Sequence, residues 1–539
     1  MKNQKLLLWG LSVLSAVLMS LPFLVPHCGF FALFGLVPLL CMDRIATLSG
    51  VRRVWVYHYS AFVLWNAFTT FWVCNATVGG GLFAILANAF QMSVVFGLFR
   101  LCKKRFYGVL PYIFLMVTWI SWERFYFDAE ISWPWLVLGN AFARSTGSVQ
   151  WYEYTGTLGG SLWIWCCNLA VFWLMTAFSD GRWYGYNIKA KIASLSGTVI
   201  LFAAPFIVSG IIYSSYSEKE NPLDVAVFQP NIDPYNKFQA LTQQQQTDIL
   251  IGQMTKTLKE SEKVPVLLLA PETFTGDIVV GEYNTSVTYR RFVDFLKEYP
   301  GTGLLFGASS YSFSDSAVRP SYTARKIRTG QWVESHNSAL MVDGTGRTEI
   351  FHKSRLVVAV EKTPYPALFC RIDDWLGGVM GRCVGQDSIS VLHCVRPDGE
   401  TIPVGSAVCY ESVYGEYYTG YVREGAEVMA IITNDAWWGN TPGYRQHLSY
   451  ASLRAIETRR SIARCANTGI SALIDQRGDI VQQTSWWEPA VLSGTVNRND
   501  RITFFVQHGD IAGRVCTFVF VILLVNLLVQ IIITKRTAI

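Results

Sequence analysis

VMAIITNDAWWGNTPGYRQHL, at residues 428–448, decides the fold of the larger polar part of this chain. The first six residues, 428–433, carry no charge and predict a strand that is buried on both faces. Polar residues follow at the strand's carboxyl end, and a helical pattern then runs over 444–466. A buried strand that leads directly into a helix is typical of layered α/β domains.

The same alternation extends on both sides of this stretch, over residues 214–510. We predict helices at 239–261 and 286–299, and further strands at 223–229, 264–270, 303–308, 338–342, 404–409 and 470–474. In such folds the polar residues that bind ligands gather at the carboxyl ends of the strands.

The flanking regions have the composition of membrane segments. Only 16% of the 539 residues are charged and 51% are hydrophobic, whereas soluble proteins carry about 25% charged residues. A membrane-spanning helix needs about 20 largely apolar residues. The predicted spans are eight: 6–25, 28–43, 55–75, 82–100, 108–122, 161–178, 191–213 and 511–534. We therefore predict a membrane domain of seven helices at 1–213, a soluble domain at 214–510, and an eighth helix with a short tail at 511–539.

Lysine and arginine alternate between the loops and orient these spans. They are concentrated before the first span and after the second, fourth, sixth and eighth spans, and the other loops are poor in them. By the positive-inside rule both termini are cytoplasmic and domain 214–510 lies outside. Residues 1–26 also resemble a secretory signal peptide, but no small-residue cleavage site follows. The aromatic loop 123–160 is either an interfacial belt or a shelf where lipid enters.

The remaining composition excludes several classes of function. The net charge is +6, but the sequence has no basic stripe, no zinc-finger spacing and no RNP-type motif. We therefore expect no nucleic-acid partner. Neither GxGxxG nor GxxxxGK[ST] occurs, and we expect no cofactor and no metal. The twelve cysteines include no CxxC pair, and Cys370, Cys383 and Cys394 lie close enough in sequence to leave a disulfide open.

Three side chains at predicted strand ends form a candidate catalytic set: Glu272, Lys353 and Cys409. A cysteine nucleophile needs a base to take its proton, and the attacked carbonyl needs a donor for its developing negative charge. A glutamate and a lysine supply both functions. Taken singly, each residue is more often a surface charge or core packing, so their order and context carry the argument.

That context resembles a known family. APETF (270–274), FHKSRLV (351–357) and VCYES (408–412) look like the Glu, Lys and Cys motifs of the nitrilase superfamily. The helical frame, with WPWLVLG (133–139), YTGTLGG (154–160), VFQPNI (227–232), NDAWWGNTPGYRQHL (434–448) and RAIETRRSIARCANTGISALID (454–475), resembles its membrane-embedded branch, the apolipoprotein N-acyltransferases. The resemblance implies an α-β-β-α sandwich on an eight-span base.

The family's functional residues map onto this chain. Glu272 matches the general base, Lys353 the oxyanion-stabilising lysine and Cys409 the nucleophile. Tyr410 and Glu411 match the supporting residues after the cysteine. Glu361 matches a further glutamate, although VVAVEKTP lacks the usual Pro-Phe-Gly before it.

Other residues were assigned from their position near this set. Phe238 stands where the family has a tryptophan, and with Asn434, Trp437 and Trp438 it is a candidate substrate contact. The two tryptophans are either an acyl-chain wall or core. His447 is interpreted as a structural histidine, and Arg454 and Glu457 as a pair on one helix face.

The implied function is N-acylation of the N-terminal diacylglyceryl-cysteine of apolipoproteins, with a phospholipid donor and a ping-pong thioester mechanism. The implied enzyme is a monomer in the bacterial inner membrane with a periplasmic catalytic domain. Two alternatives stay open. A membrane-tethered amidase would release ammonia from small amides, and a transporter with a sensory domain would carry charged or broken helices.

Overall fold

The polypeptide divides into two units in this computed structural model, which describes residues 2–235, 240–375 and 380–537. One unit comprises Met1–Tyr216 and His508–Ile539, and the other comprises Ser217–Gln507. The first is called the helical unit and the second the sheet unit.

The helical unit begins with ten helices. They are α1 Lys2–Leu24, α2 Ala32–Gly35, α3 Val37–Leu48, α4 Trp55–Thr70, α5 Val73–Ala76, α6 Val78–Cys102, α7 Leu110–Asp128, α8 Tyr152–Ser179, α9 Arg182–Gly185 and α10 Ile188–Ser215.

The second predicted span is interrupted between α2 and α3, and Asn168 of α8 stabilises the break. Its amide accepts a hydrogen bond from the Leu36 backbone N–H (2.8 Å) and donates to the Ala32 carbonyl (2.8 Å). Backbone groups freed by a broken helix must be satisfied inside the protein when no water is available. The second span, Gly29–Leu48, is therefore irregular at this break.

The loop between α7 and α8 is an ordered aromatic segment rather than an open loop. Trp135 is fully buried, stacks on Trp133 with ring centroids 5.2 Å apart, and meets the edge of Trp72 at 4.9 Å. The following helix begins at Tyr152, earlier than the predicted 161, and it is kinked at Gly156, whose φ is 60°.

The sheet unit contains two β-sheets within its described residues. Its strands are β1 Pro222–Gln229, β2 Leu267–Leu269, β3 Thr275–Val279, β4 Gly303–Ser314, β5 Arg325–Lys326, β6 Trp332–Val342, β7 Thr348–His352, β8 Leu392–Val395, β9 Thr401–Val408, β10 Val428–Thr433, β11 Ile462–Ala466, β12 Ala472–Ile474, β13 Ile480–Gln483 and β14 Ala490–Asn497. The first sheet has the order β14-β1-β2-β4-β6-β5, with β3 on β4 and β7 on β6, and the second has the order β13-β12-β11-β10-β9-β8.

Six helices accompany these sheets. They are α11 Gln243–Glu260, α12 Val287–Leu296, α13 Pro366–Trp375, α14 Gly415–Arg423, α15 Pro442–Thr458 and α16 Phe504–His508. One buried cluster combines apolar residues of both sheets, among them Leu269 of β2 and Ile431 of β10, and a second cluster joins the first sheet to α11 and α12. The strands β9, β10 and β11 run parallel, so their carboxyl ends meet at one edge.

The helix predicted over 444–466 is wrong at its end. Helix α15 ends at Thr458, and Arg459 adopts a left-handed backbone with φ of 50°. Residues 462–466 instead form β11, paired in parallel with β10 and buried at every position. Pairing with a central strand outweighs the helical pattern of this segment.

The chain ends with α17, Ile511–Thr537, in the helical unit. Among the described residues six helices are long and apolar enough to cross a membrane: Asn3–Leu24, Gly29–Leu48, Val78–Cys102, Tyr152–Ser179, Ile188–Ser215 and Ile511–Ile533. The predicted spans 55–75 and 108–122 correspond to α4, with 16 residues, and to α7, whose last turns carry Glu123, Arg124 and Asp128. The number eight therefore stays a prediction.

Candidate active site

Cys409 lies directly after β9, at the carboxyl edge that β9 and β10 share. It is the first residue of a 3-10 turn, Cys409–Val413, and its φ of 52° lies in the left-handed region. This conformation is costly for a residue with a side chain, and such strain concentrates at functional sites. The turn lifts the thiol out of the strand at the sheet edge.

Lys353 holds two carboxylates together. It follows β7, is 1% exposed, and its Nζ donates to Glu272 Oε1 at 3.1 Å and to Glu361 Oε1 at 3.0 Å. Burial by itself lowers the pKa of Lys353, but the two carboxylates outweigh burial and raise that pKa well above its usual value. The lysine is therefore a fixed positive charge.

Glu272 lies between β2 and β3, and backbone groups position it. Its Oε2 accepts a hydrogen bond from the Asn434 backbone N–H at 3.1 Å. Gly307 of β4 passes so close that an added Cβ would lie 2.5 Å from the Glu272 Cα. A glycine is required at residue 307 because the backbone of residue 272 occupies that space.

Asn337 of β6 is a site residue that the sequence did not identify. Its Nδ2 donates to Glu272 Oε1 at 2.8 Å and to Glu361 Oε1 at 2.6 Å. Its Oδ1 is buried and has no hydrogen-bond partner among the residues that the structure describes. The signal in the sequence was the position of Asn337, a polar residue directly before the predicted strand 338–342. In the structure this strand begins at Trp332 and includes Asn337.

Glu361 reaches the site in spite of its unusual sequence context. A turn at 357–362 brings it to Lys353, and its Oε2 accepts from the Val357 backbone N–H at 2.8 Å. It is 16% exposed, more than Lys353 or Glu272. Glu272, Asn337, Lys353 and Glu361 are together named the base cluster.

Glu411 connects the cysteine turn to the segment after Lys353. Its carboxylate accepts hydrogen bonds from the backbone N–H groups of Ser354 (2.7 Å) and Val408 (2.8 Å), and from the hydroxyls of Tyr417 (2.8 Å) and Tyr421 (3.0 Å). Burial raises the pKa of Glu411 above its usual value, against the opposing effect of these N–H donors. Glu411 therefore has a structural role, because both of its carboxylate oxygens accept hydrogen bonds from protein donors.

Tyr410, the other supporting residue predicted here, is buried. Its ring meets the ring of Tyr414 edge-on, with centroids 5.2 Å apart. Tyr410 therefore packs within the turn that carries the cysteine.

A second buried group, named the anchor cluster, also contacts Cys409: Asp435, His447 and Arg464. Arg464 Nη2 donates to Asp435 Oδ2 at 2.6 Å, and His447 Nδ1 lies 3.0 Å from Asp435 Oδ1. His447 Nε2 lies 3.1 Å from the Cys409 carbonyl oxygen. Burial would raise the pKa of Asp435, but Arg464 and then His447 outweigh it and lower that pKa.

The anchor cluster could be mistaken for a metal site. The Cys409 thiol, an Asp435 oxygen and a His447 nitrogen all lie within 4.8 Å of one another. However, the Arg464 guanidinium already supplies a positive charge there, 2.6 Å from Asp435 and 3.2 Å from His447 Nδ1. These three side chains therefore fit a hydrogen-bonded structural cluster better than a metal site.

The surroundings of the Cys409 thiol disfavour its charged thiolate form. Burial, first, and the charge of Glu272, second, raise the pKa of Cys409 well above its usual value, and Lys353 opposes them. A neutral thiol beside a carboxylate and an ammonium needs a proton acceptor before it can react. Glu272 is the carboxylate whose charge acts most strongly on this thiol.

The predicted helix-face pair Arg454–Glu457 is confirmed, and it is buried. Arg454 Nη2 donates to Glu457 Oε1 at 3.0 Å, and its Nη1 donates to the Val413 carbonyl at 3.1 Å. The pair thus ties α15 to the end of the cysteine turn.

The predicted substrate contacts occupy different environments. Asn434 is buried beside Glu272, Trp438 meets the His447 ring at 5.5 Å, and Trp437 is 41% exposed with its ring 5.2 Å from Tyr235. Phe238 lies outside the described residues. Cys370, Cys383 and Cys394 are free thiols, so the structure contains no disulfide among these described residues.

Comparison with protein families gives two matches. The family of carbon-nitrogen hydrolases matches residues 314–504, and the N-terminal domain of apolipoprotein N-acyltransferases matches residues 15–170. The first range includes Lys353, Glu361 and Cys409, whereas Glu272 lies outside both.

Relatives of known name span nearly the whole chain. The apolipoprotein N-acyltransferase of Chlorobaculum tepidum is 28% identical over 94% of this chain and 94% of its own length. That of Geobacter metallireducens is 26% identical over 94% of this chain and 92% of its own length. Among solved structures, Saccharomyces cerevisiae Nit3, a member of branch 10 of the nitrilase superfamily, is 13% identical with a TM-score of 0.36, over 52% of this chain and 93% of that one.

Proposed function

Because this chain belongs to the apolipoprotein N-acyltransferase family of the nitrilase superfamily, we propose that it moves an acyl chain from a phospholipid to the N-terminal diacylglyceryl-cysteine of apolipoproteins by way of a Cys409 thioester. The chain is a membrane protein and an acyltransferase that N-acylates lipoproteins. The phospholipid donor and the two-step route are the parts that we add.

The observation that carries this proposal is the geometry of the Lys353 ammonium. An ammonium has three N–H donors, and Glu272 and Glu361 accept two of them. The third remains for the oxyanion that forms on the carbonyl oxygen when the Cys409 sulfur attacks the acyl group. The base cluster therefore supplies a proton acceptor and an oxyanion donor beside one nucleophile.

In the first half-reaction Glu272 takes the proton of the Cys409 thiol, and the thiolate attacks the ester carbonyl of the phospholipid. The carbonyl oxygen becomes an oxyanion held by Lys353 Nζ and by the Tyr410 backbone N–H. When the tetrahedral adduct collapses, the C–O bond breaks and Glu272 returns the proton to the departing lysophospholipid oxygen. An S-acyl Cys409 remains.

In the second half-reaction the free α-amine of the diacylglyceryl-cysteine attacks the thioester. Glu272 accepts a proton from the nitrogen, the C–S bond breaks, and the proton passes to the Cys409 sulfur. The buried Asn337 Oδ1 offers an acceptor for an N–H of the incoming amine. The products are an N-acyl amide and the original thiol, so the reaction needs no redox partner and no cofactor.

The setting of the reaction belongs to the same proposal. Both substrates carry acyl chains, and moving a lipid into water costs about 0.8 kcal/mol per methylene. We place the enzyme in the bacterial inner membrane, as a monomer with eight spans, cytoplasmic termini and a periplasmic catalytic domain at 214–510. The seven-helix membrane domain is then 1–213, and 511–539 forms the last helix and tail.

The test is intact-mass measurement of the full chain after incubation with phospholipid. The expected result is one acyl-sized adduct that hydroxylamine removes, and that is absent from Cys409→Ala. Cys383→Ala is the matched control, because its cysteine lies in the same unit with its backbone N–H bonded to the Glu361 carbonyl at 2.7 Å. This control should still form the adduct.

A lipopeptide with a free diacylglyceryl-cysteine amine should then discharge the adduct and become N-acylated. An N-acetylated lipopeptide should leave the adduct in place. Discharge by water alone, with ammonia released from small amides, would favour the amidase. An adduct that persists in Cys409→Ala would refute the nucleophile.

A further inference from the structure

A cavity of about 490 Å³ lies in the helical unit, lined by residues of α4, α6 and the segment that precedes α4. It is unrelated to the base cluster, since every lining residue belongs to the helical unit. Its lining combines two arginines, a histidine and a serine with aromatic residues: Arg52, Arg100, His58, Ser93, Trp55 and Phe90.

His58 lines this cavity and carries a polar atom with no partner among the described residues. The side chain is 2% exposed, and its Nδ1 lies 2.9 Å from Ser93 Oγ. Its Nε2 is buried with no hydrogen-bond partner in the part of the chain that the structure describes. A buried ring nitrogen normally has a partner, and when the Ser93 hydroxyl donates to Nδ1, Nε2–H is a free donor.

The surrounding charge is positive. Asp43 is buried and receives both the Arg100 guanidinium and the Lys103 ammonium, the latter at 2.5 Å. Arg52 is exposed and pairs with no carboxylate among the described residues. Arg52 and Arg100 line the cavity, and with Lys103 and Asp43, which pair with or beside Arg100, they give this region a net charge of +2.

Other residues that line the cavity are apolar. Trp55, Phe90 and Val94 are all exposed large hydrophobic side chains. An occupant must therefore carry negatively charged oxygens at one end and hydrocarbon at the other. Basic pockets between membrane helices bind the headgroups of anionic lipids in this way.

We propose that this cavity binds one anionic phospholipid, with its phosphate between Arg52, Arg100 and His58 Nε2 and an acyl chain along Trp55 and Phe90. On the predicted topology Arg52 and Arg100 lie at the cytoplasmic ends of their helices. This lipid is therefore distinct from the acyl donor of the outer leaflet. It holds α4 against α6 and takes no part in the chemistry.

The experiment titrates the purified full chain in detergent with phosphatidylglycerol, in a Cys409→Ala background so that no acyl-enzyme forms, and measures bound lipid by native mass spectrometry and stability by thermal unfolding. The expected result is one tightly bound lipid that raises the melting temperature. Two other ligands serve as controls. Phosphatidylethanolamine has a headgroup without net charge, and inorganic phosphate supplies the anion without an acyl chain. Both should bind at least tenfold more weakly.

Two variants test the assigned contacts. Arg52→Gln should weaken phosphatidylglycerol binding about fivefold, and His58→Phe should weaken it by about tenfold because the buried donor is lost. The control Lys104→Gln removes an exposed cation that does not line the cavity, and it should change nothing. Acyl transfer measured with Cys409 in place and without added phosphatidylglycerol should be unchanged in all three, which shows that they fold.

Several outcomes would overturn the proposal. Equal losses in Arg52→Gln and Lys104→Gln would mean that the lipid binds by general charge. Phosphate alone giving the full thermal shift would exclude the tail contacts. Unchanged binding in His58→Phe would exclude the ring nitrogen. None of these outcomes bears on Cys409, so a failure here leaves the proposed function standing.

Discussion

The base cluster and the anchor cluster are two groups of charges that act on Cys409, and they differ in which polar atoms they leave free. In the base cluster two carboxylates share one lysine, so the net charge is −1, and Asn337 Oδ1 has no partner among the described residues. In the anchor cluster Arg464 neutralises Asp435, and both nitrogens of His447 have polar neighbours at hydrogen-bonding distance.

This difference in free polar atoms indicates which of the two clusters can take part in the reaction. A proton can move only to a group with a free lone pair, and an oxyanion can be stabilised only by a free donor. The base cluster has both, whereas the anchor cluster uses its polar atoms to hold the Cys409 carbonyl and its own members. We infer that the first does chemistry and the second fixes the turn that carries the thiol.

The largest expected effect is that of Glu272→Gln, which keeps the shape of the base cluster and removes its proton acceptor. Acyl transfer should fall by about 10³-fold, as expected for a lost general base. The reactivity of Cys409 toward iodoacetamide should change in the opposite direction. Because the Glu272 charge raises the pKa of Cys409, its removal lowers that pKa, and alkylation at pH 8 should become faster.

Peptide mass spectrometry of the Cys409 peptide measures this alkylation separately from the other eleven cysteines. In the wild type the raised pKa keeps the thiol neutral at pH 7, and the rate should increase as the pH rises toward and beyond 9. Transfer and alkylation that fall together in Glu272→Gln would mean that the glutamate only maintains the fold.

The next effect is that of Lys353→Met, which tests the positive charge of the base cluster. Transfer should fall by about 10²- to 10³-fold because the oxyanion loses a donor. Since Lys353 lowers the pKa of Cys409, alkylation at pH 8 should become slower, the opposite of the Glu272→Gln result. Lys353→Arg keeps the charge and should preserve the alkylation rate better than Lys353→Met. Equal alkylation rates in Lys353→Met and Lys353→Arg would mean that the charge of Lys353 does not act on the Cys409 thiol.

The sequence allowed the three proposed catalytic residues to be predicted in two ways. Glu272 and Cys409 lie at the ends of strands that their apolar patterns reveal, whereas Lys353 follows the less apolar strand β7 and was identified by the motif around it. The carboxyl ends of neighbouring strands meet at one edge, and so residues far apart in sequence come together.

The residues that were missed are those defined by tertiary contact. Asn337 lies inside β6, and only the pairing of β6 with β7 brings it to Lys353. The anchor cluster joins a strand end, a helix and β11, and β11 was predicted as helix. The resemblance assigned Glu361, whose path to Lys353 depends on a turn with no periodic pattern.

A smaller effect is expected for Glu361→Gln. Glutamine can still accept the Val357 N–H, so the turn should persist, but Lys353 loses one of its two counter-charges. Transfer should fall by about tenfold, the usual difference between a charged and a neutral hydrogen-bond acceptor. The loss should appear in kcat with KM unchanged, because Glu361 positions the lysine. A change confined to KM would instead make Glu361 a substrate contact.

The smallest effect on turnover is expected for His447→Gln, which tests the anchor cluster directly. Glutamine can donate to either the Asp435 carboxylate or the Cys409 carbonyl but cannot reach both, so about 1–3 kcal/mol of stability should be lost. Transfer per folded molecule should stay within about fivefold of the wild type, because no group of the base cluster has changed. The pH dependence of Cys409 alkylation should move less than in Glu272→Gln, because the charge of Asp435 acts on this thiol less than that of Glu272. Thermal unfolding and alkylation measured on the same preparation separate the two effects. A loss of transfer as large as that of Glu272→Gln at an unchanged melting temperature would make the histidine part of the chemistry, and the distinction between the two clusters would fail.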